Sequence, residues 1–149
     1  MTQLVIRPPQ ESDWPAMRRL FLQSRIATFY WADCTRYQLH DLDKQTQDED
    51  ILLAHDASGQ LAGFISVHSA SRFIHHLFVA NSHHRRGVGA ALLQHLPQWR
   101  QAAYQLKCLQ LNQSAVAFYQ AQGFFIAGSG KSEDGAYWLM QSDTEPCHN

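Results

Sequence analysis

The sequence predicts a mixed α+β or α/β fold, with one central sheet and helices on both faces of that sheet. Strand-like and helix-like segments follow in the order strand, two helices, three strands, helix, strand, helix, two strands. The chain has 149 residues, of which 45% are hydrophobic. This is enough for one core without disulfides or a structural metal. No repeat or linker interrupts the chain, so we expect one domain over 1–142 and a polar tail over 143–149.

The N-terminal part is predicted to contain one strand and two helices. An apolar run over 4–7 predicts the strand. Apolar residues at helical spacing predict a helix over 12–25, with Ser12 or Asp13 as its cap. A second helix is expected over 35–45.

The rest of the chain is predicted to contain six strands and two helices. Pro97 should kink or end the first of these helices, and a Gly/Ser-rich connection should join the last two strands. The elements in chain order are strands over 51–55, 61–68 and 73–79, a helix over 87–101, a strand over 107–112, a helix over 114–122, and strands over 124–127 and 136–140.

Charge and hydropathy exclude several classes of partner. The net charge is −1 and the sequence pI is about 6.7, whereas nucleic-acid binders usually carry a basic stripe and a pI above ~9. No run approaches the ~18 apolar residues of a membrane helix, and the first residues lack the pattern of a signal peptide. We therefore expect a cytoplasmic protein that binds neither nucleic acid nor membrane.

The cysteines and histidines do not predict a metal site. Three cysteines are an odd number without metal-binding spacing, and Cys108 lies in an apolar run typical of a buried small hydrophobe. His75 and His76 are adjacent on a predicted strand, so they should point to opposite faces and could not share one ion. We expect no native metal, and we expect His76 to be packed within the fold.

The segment that follows the strand over 73–79 is typical of a phosphate-binding loop. A short polar turn leads to Gly87 and Gly89, which open a helix whose first N–H groups are unpaired. The glycines would let a phosphate approach closely, and Arg85 and Arg86 would add cationic donors. The third glycine of the dinucleotide fingerprint and the Gly-Lys-Ser/Thr of the P-loop are both absent. The alternative is a helix with a glycine-rich first turn that binds nothing.

Two motifs resemble those of the GCN5-related N-acetyltransferase (GNAT) superfamily. The segment His84-Arg-Arg-Gly-Val-Gly89 resembles its acyl-CoA loop, Gln/Arg-x-x-Gly-x-Gly/Ala, and departs from it at His84. The segment that follows resembles Asn-x-x-Ala-x-x-Phe-Tyr-x-x-x-Gly-Phe. Its matching residues are Asn112, Ala115, Phe118, Tyr119, Gly123 and Phe124. The two motifs stand in the family's order along the chain.

This resemblance implies a GNAT-like fold and acetyl-CoA as the acetyl donor. The mostly antiparallel sheet would splay open between its fourth and fifth strands, and the pantetheine arm of the coenzyme would lie in that gap. The residues implied in coenzyme binding are Leu77, Val79, His84, Arg85, Arg86, Gly87, Val88, Gly89, Ala90, Asn112, Ala115 and Tyr119. Asn112 could equally serve as a helix cap.

The resemblance also suggests roles for two side chains. Tyr119 occupies the family's usual general-acid position and would protonate the departing thiolate. The acceptor amine must lose a proton, since an alkylammonium has a pKa near ~10. His75 matches a position where members carry an acid or His, and an imidazole suits base catalysis near neutrality. A structural role for His75 is the alternative.

The acceptor side is less clearly encoded. By resemblance, the loop after the first helix would contribute Phe29, Tyr30 and Trp31, and aromatic side chains near carboxylates suit a small cationic amine. These aromatics could instead belong to the core. We expect direct acetyl transfer to a primary amine of a small molecule within a ternary complex, by a protein that could be a homodimer. The alternatives are acetylation of a protein lysine or N-terminus, and a non-catalytic acetyl-CoA-binding module.

Overall fold

Seven strands and three helices form the described part of the molecule. The computed structural model describes residues 4–28, 42–43, 46–80 and 87–144. The strands are β1 (Val5–Arg7), β2 (Asp50–His55), β3 (Leu61–His68), β4 (Phe73–Val79), β5 (Gln105–Leu109), β6 (Phe124–Ser132) and β7 (Gly135–Ser142). The helices are α1 (Trp14–Thr28), α2 (Val88–Gln94) and α3 (Gln113–Ala121), and a 3-10 turn over Glu11–Asp13 precedes α1.

All seven strands belong to one sheet in the order β1-β2-β3-β4-β5-β7-β6. Every neighbouring pair is antiparallel except β4 and β5, which are parallel. The polypeptide leaves β4, forms α2, and returns through β5 in the same direction. The prediction of a mixed sheet is confirmed.

Helices cover both faces of the sheet, as predicted. On one face α1 buries Met17 and Phe21 against Leu53 and Phe64. On the other face α2 buries a row of apolar side chains against β3, β4, β5 and β7, and α3 packs against the same cluster. We call the first cluster the α1 core and the second the α2/α3 core.

The α2 helix and β5 differ in extent from their predictions. The helix ends at Gln94 rather than 101, because Pro97 lacks an N–H group to continue it and the backbone of Gln98 and Arg100 adopts positive φ. The strand β5 begins two residues earlier than predicted and ends at Leu109. It ends there because Asn112 serves as the N-cap of α3.

The predicted Gly/Ser-rich connection is mostly strand. The pairing of β6 with β7 continues to Ser132 opposite Gly135, so only two residues form the turn. Glycine usually weakens a strand, but here the ring of Tyr137 occupies the space where a Cβ of Gly130 would lie. The Tyr137 ring packs directly on the backbone of Gly130, which explains why the strand tolerates a glycine at this position.

Two predictions fall wholly or largely outside the described residues. Leu42 and Asp43 are helical, and Asp43 forms an ion pair of 2.7 Å with Arg18 of α1. The rest of the expected helix over 35–45 and the tail from 145 onward lie outside. No helix in the described ranges is both long and apolar enough to cross a membrane.

Candidate active site

The sheet opens between β4 and β5. Only Phe73 and Ile74 of β4 pair with β5, opposite Gln105 and Leu106, whereas β5 pairs with β7 along its whole length. The remaining part of β4, over 75–79, therefore borders a gap in the sheet. The predicted splay between the fourth and fifth strands is confirmed.

The β4 residues expected to bind the coenzyme lie along this gap. The side chains of Leu77 and Val79 are half-buried and pack against the α2/α3 core. Because β5 pairs with only the first two residues of β4, the main-chain groups of 75–79 on the edge that borders the gap do not bond to β5.

The N-terminus of α2 is shaped by two glycines with different roles. Gly87 is the N-cap, with a left-handed φ of 74°, and a Cβ there would meet nothing within 4 Å. A Cβ on Gly89 would instead lie 2.8 Å from the ring of Phe118 on α3. The sequence assigned both glycines to phosphate approach, but the structure gives Gly89 a packing role between two helices. Val88 is buried and Ala90 is half-buried beside them.

The N-terminus of α3 is capped by Asn112. Its Oδ1 accepts a hydrogen bond of 3.3 Å from the N–H group of Ala115 and one of 3.3 Å from the Ser114 hydroxyl. The alternative role of Asn112 as a cap is thus confirmed. Its Nδ2 group is the donor with which it could also reach a coenzyme.

Tyr119 lies on the face of α3 that packs against the core. Its ring makes edge contacts with Phe118 and Phe124, at centroid distances of 5.3 and 5.5 Å. Burial, with a smaller contribution from Cys108, raises the pKa of the Tyr119 hydroxyl above its ordinary value. The phenol is therefore neutral and retains its proton.

Cys108 is a buried thiol, as predicted. Burial raises its pKa to about 11. The nucleophilic form of cysteine is the thiolate, so this side chain is protonated and unreactive near neutral pH. This argues against Cys108 as the carrier of an acyl intermediate.

His75 and His76 do not point to opposite faces, and that prediction is wrong. The register of β3 with β4 pairs Ser66 with His76 and then Val67 with Ile74, so His75 is an extra residue in a β-bulge. The bulge interrupts the alternation of side chains. The two imidazole rings consequently lie side by side, with centroids 4.4 Å apart.

The two histidines share a carboxylate that the sequence did not indicate. Glu49 Oε2 lies 2.7 Å from His75 Nδ1, and Glu49 Oε1 lies 3.9 Å from His76 Nδ1. The Glu49 side chain is 8% exposed and that of His75 is 45% exposed. Strand register could have revealed this contact. Glu49 directly precedes β2, and the pairings of β2 with β3 and of β3 with β4 bring the start of β2 to the same end of the sheet as the start of β4.

His76 is packed within the fold, as expected. Its ring makes an edge contact with Phe21 of α1 at 5.0 Å and stacks on Phe78 at 5.9 Å. Its Nδ1 shares a hydrogen bond of 2.9 Å with the Ser66 hydroxyl. These contacts hold His76 in the α1 side of the sheet.

Glu49, His75 and His76 also form the one group of potential metal ligands within the described ranges. One possible ligand atom from each lies within 4.8 Å of the others. Both Nδ1 atoms already take part in hydrogen bonds, to Glu49 and to Ser66. The prediction that geometry prevents these two histidines from sharing one ion is wrong, and the absence of a native metal stays a prediction.

Six of the predicted contact residues lie outside the described residues. They are His84, Arg85 and Arg86 of the acyl-CoA loop, and Phe29, Tyr30 and Trp31 of the expected acceptor site. Their roles stay predictions.

These features define an acetyltransferase-type fold, in which two parallel strands diverge and the helices that follow them pack on one face. The chain belongs to the GNAT family: the family described as Acetyltransferase (GNAT) domain matches residues 23–140. The chain is an N-acetyltransferase, as predicted. It is similar to the peptidyl-lysine N-acetyltransferase YiaC of Escherichia coli K12, with 37% identity over 148 residues, 91% of this chain and 94% of that protein.

Solved structures share the same fold. A GCN5-related N-acetyltransferase from Kribbella flavida has a TM-score of 0.73 at 21% identity, over 94% of this chain and 97% of that chain. The spermidine N-acetyltransferase of Vibrio cholerae, in complex with CoA and spermine, has a TM-score of 0.70 at 17% identity. That match covers 93% of this chain and 94% of that chain.

Proposed function

We propose that this protein transfers the acetyl group of acetyl-CoA directly to the ε-amine of a lysine side chain, in the cytoplasm. The observation that carries this choice of acceptor is the 37% identity, over most of both chains, to a peptidyl-lysine acetyltransferase. Similarity to spermidine acetyltransferases is below 25% identity and speaks only for the fold. A small-molecule amine, the acceptor expected from the sequence, is the competing candidate.

The gap between β4 and β5 is the proposed site of the thioester. The pantetheine arm would lie against the backbone of Leu77 and Val79, with Asn112 donating from Nδ2. The diphosphate would lie at the N-terminus of α2, where Gly87 begins the helix and unpaired N–H groups favour an anion. The acetyl carbonyl would then lie beside the bulge that carries His75.

The proposed reaction needs one base and one acid. His75 takes a proton from the lysine ammonium, and the free amine attacks the thioester carbon to form the C–N bond. The C–S bond then breaks as the Tyr119 hydroxyl gives its proton to the departing thiolate, and the second proton lost by nitrogen passes through water to the Tyr119 oxygen, which leaves Tyr119 neutral again. Because burial raises the pKa of Tyr119, we expect proton transfer only as sulfur charge develops. His75 releases its proton to water, so the net products are the amide, CoA thiol and one proton.

The acceptor class is tested by measuring thiol release with acetyl-CoA and a panel of amines. We expect kcat/KM for lysine-containing peptides to exceed that for spermidine and free lysine by at least roughly tenfold, about 1.4 kcal/mol in transition-state binding. The same peptides with lysine replaced by arginine are the matched control. A preference for spermidine would favour the small-molecule candidate. Acetyl-CoA binding without thiol release for any amine would instead favour a non-catalytic module.

A further inference from the structure

We propose that Glu49 is the positioning residue for His75, fixing its tautomer and stabilising the imidazolium that forms when His75 accepts the proton of the acceptor amine. This inference rests on the proposed function, because it assigns a partner to the base of that reaction. It adds Glu49, which lies 26 positions from His75 in sequence, to the residues proposed to take part in the reaction.

The hydrogen bond between the two side chains determines which nitrogen can act as a base. A carboxylate only accepts hydrogen bonds, so the 2.7 Å contact of Glu49 Oε2 with His75 Nδ1 requires the hydrogen to be on Nδ1. In the neutral ring Nε2 is then the proton acceptor. His75 is 45% exposed, so its ring is accessible to an acceptor amine.

The surroundings of Glu49 make a positive charge on His75 favourable. The carboxylate is buried, and its Oε1 has no hydrogen-bond partner among the described residues. An ionised, poorly solvated carboxylate is stabilised by a neighbouring cation. When His75 gains a proton, the pair becomes a hydrogen-bonded ion pair of the kind that is stronger than a neutral one.

One further side chain, His76, lies against this pair. His76, fixed by Ser66 and by the rings of Phe21 and Phe78, lies beside both His75 and Glu49 Oε1. The titratable groups that contact His75 within the described residues are therefore Glu49 and His76. The bulge in β4 makes the arrangement possible, because regular alternation would separate the two rings.

The test compares Glu49→Gln with His75→Ala. Glutamine keeps a side-chain oxygen that can accept from Nδ1 but removes the charge. We expect Glu49→Gln to lower kcat/KM for the acceptor by at least roughly tenfold with an unchanged affinity for acetyl-CoA. The acidic limb of its pH profile should move to lower pH, because the imidazolium loses its counter-charge. Glu49→Asp should restore part of the rate.

Two controls separate this role from a structural one. Glu11→Gln makes the same chemical change at an exposed residue of the 3-10 turn and should leave rate and pH profile unchanged. Thermal melts of all variants report folding. A double variant that carries both Glu49→Gln and His75→Ala tests whether Glu49 acts through His75. Its kcat/KM should then be no lower than that of His75→Ala alone. A loss equal to the product of the two single losses would overturn the proposal.

The possible failures are distinguishable. If His75→Ala keeps wild-type turnover, the assignment of the base fails, and the role of Glu49 fails with it. If His75→Ala is slow but Glu49→Gln keeps the wild-type rate and pH profile, only the role of Glu49 is overturned. Activity that is lost on dialysis against EDTA and restored by Zn²⁺ would also overturn it, since the cluster would then bind an ion.

Discussion

Tyr119 carries the proton that the proposed acid needs, on a ring held in the fold. Like any tyrosine it is neutral near pH ~7, burial raises its pKa and so makes it a weaker acid than an exposed tyrosine, and its ring contacts two aromatic neighbours. Phenylalanine would keep those ring contacts and lose only the O–H group. We expect Tyr119→Phe to lower turnover at least roughly tenfold, with little change in acetyl-CoA affinity measured by calorimetry. Turnover equal to the wild type would remove Tyr119 from the mechanism.

Asp13 links β1 to the start of α1 through a charged hydrogen bond. The Arg7 guanidinium donates to its carboxylate at 2.7 and 3.1 Å, and the Gln10 N–H group donates at 2.7 Å. Asp13 was predicted as a possible cap of the first helix. In the structure its carboxylate caps the 3-10 turn that precedes α1. The Arg7 hydrogen bond is the main reason that the pKa of Asp13 is lowered to about 2.

A lowered pKa makes this contact sensitive to acid. As the pH falls, the Asp13 carboxyl binds a proton in the unfolded chain, where its pKa is ordinary, before it does so in the folded state, where its pKa is about 2. Its stabilising contribution is thus present above pH ~4 and is lost as the pH falls towards 2. We expect Asp13→Asn to reduce the free energy of unfolding by about 1 kcal/mol at pH 7, after allowing for solvent screening. Urea unfolding at pH 7 and pH 2 measures this, and an equal loss at both would contradict the charged role.

At the scale of elements, the packing of α2 on α3 depends on Gly89. A methyl group there would lie 2.8 Å from the Phe118 ring, which is closer than a real contact permits, so the two helices would have to move apart. We expect Gly89→Ala to destabilise the protein by about 1–3 kcal/mol and to weaken acetyl-CoA binding. Adding Phe118→Leu should recover part of the loss in thermal melts.

Gly87→Ala is the matched comparison for that prediction. A Cβ there meets no atom within 4 Å, but φ is 74°, so the cost is backbone strain of about 1–2 kcal/mol. Phe118→Leu should not relieve it. If the Phe118 change rescued both alanine variants equally, the steric explanation for Gly89 would be wrong.

Local patterns were enough to predict most elements but not the features that shape the site. The strand over 61–68 and that over 73–79 were predicted to the residue, because their apolar runs end at clear turn signals. The bulge at His75 was missed because it depends on the register with β3. The contact of Glu49 with His75 was not predicted for a related reason, since Glu49 comes near β4 only when β2 and β4 both pair with β3. The two motifs predicted the gap, but β6 continues through glycines because of cross-strand contacts with β7.

At the scale of the whole molecule, the sheet is two antiparallel blocks joined by two residue pairs. The block β1-β2-β3-β4 and the block β5-β7-β6 meet only where Phe73 and Ile74 pair with β5. Below the gap, the α2/α3 core connects the blocks through side chains. A ligand that fills the gap and touches both strands and both helices would therefore stabilise the junction between the blocks.

This arrangement predicts a large and selective thermal stabilisation by acetyl-CoA. A ligand at ~100 times its Kd adds about 2.7 kcal/mol to the free energy of unfolding, which raises the Tm of a domain of this size by several degrees. NAD is the control, because it also carries an adenine nucleotide and a diphosphate but has no pantetheine arm to occupy the gap. We expect a rise with acetyl-CoA alone, and a similar rise for Tyr119→Phe, which removes one hydroxyl from the binding surface and keeps the ring. Equal shifts with NAD would mean that only the shared adenine nucleotide and diphosphate are recognised, and no shift at millimolar acetyl-CoA would contradict coenzyme binding in the gap.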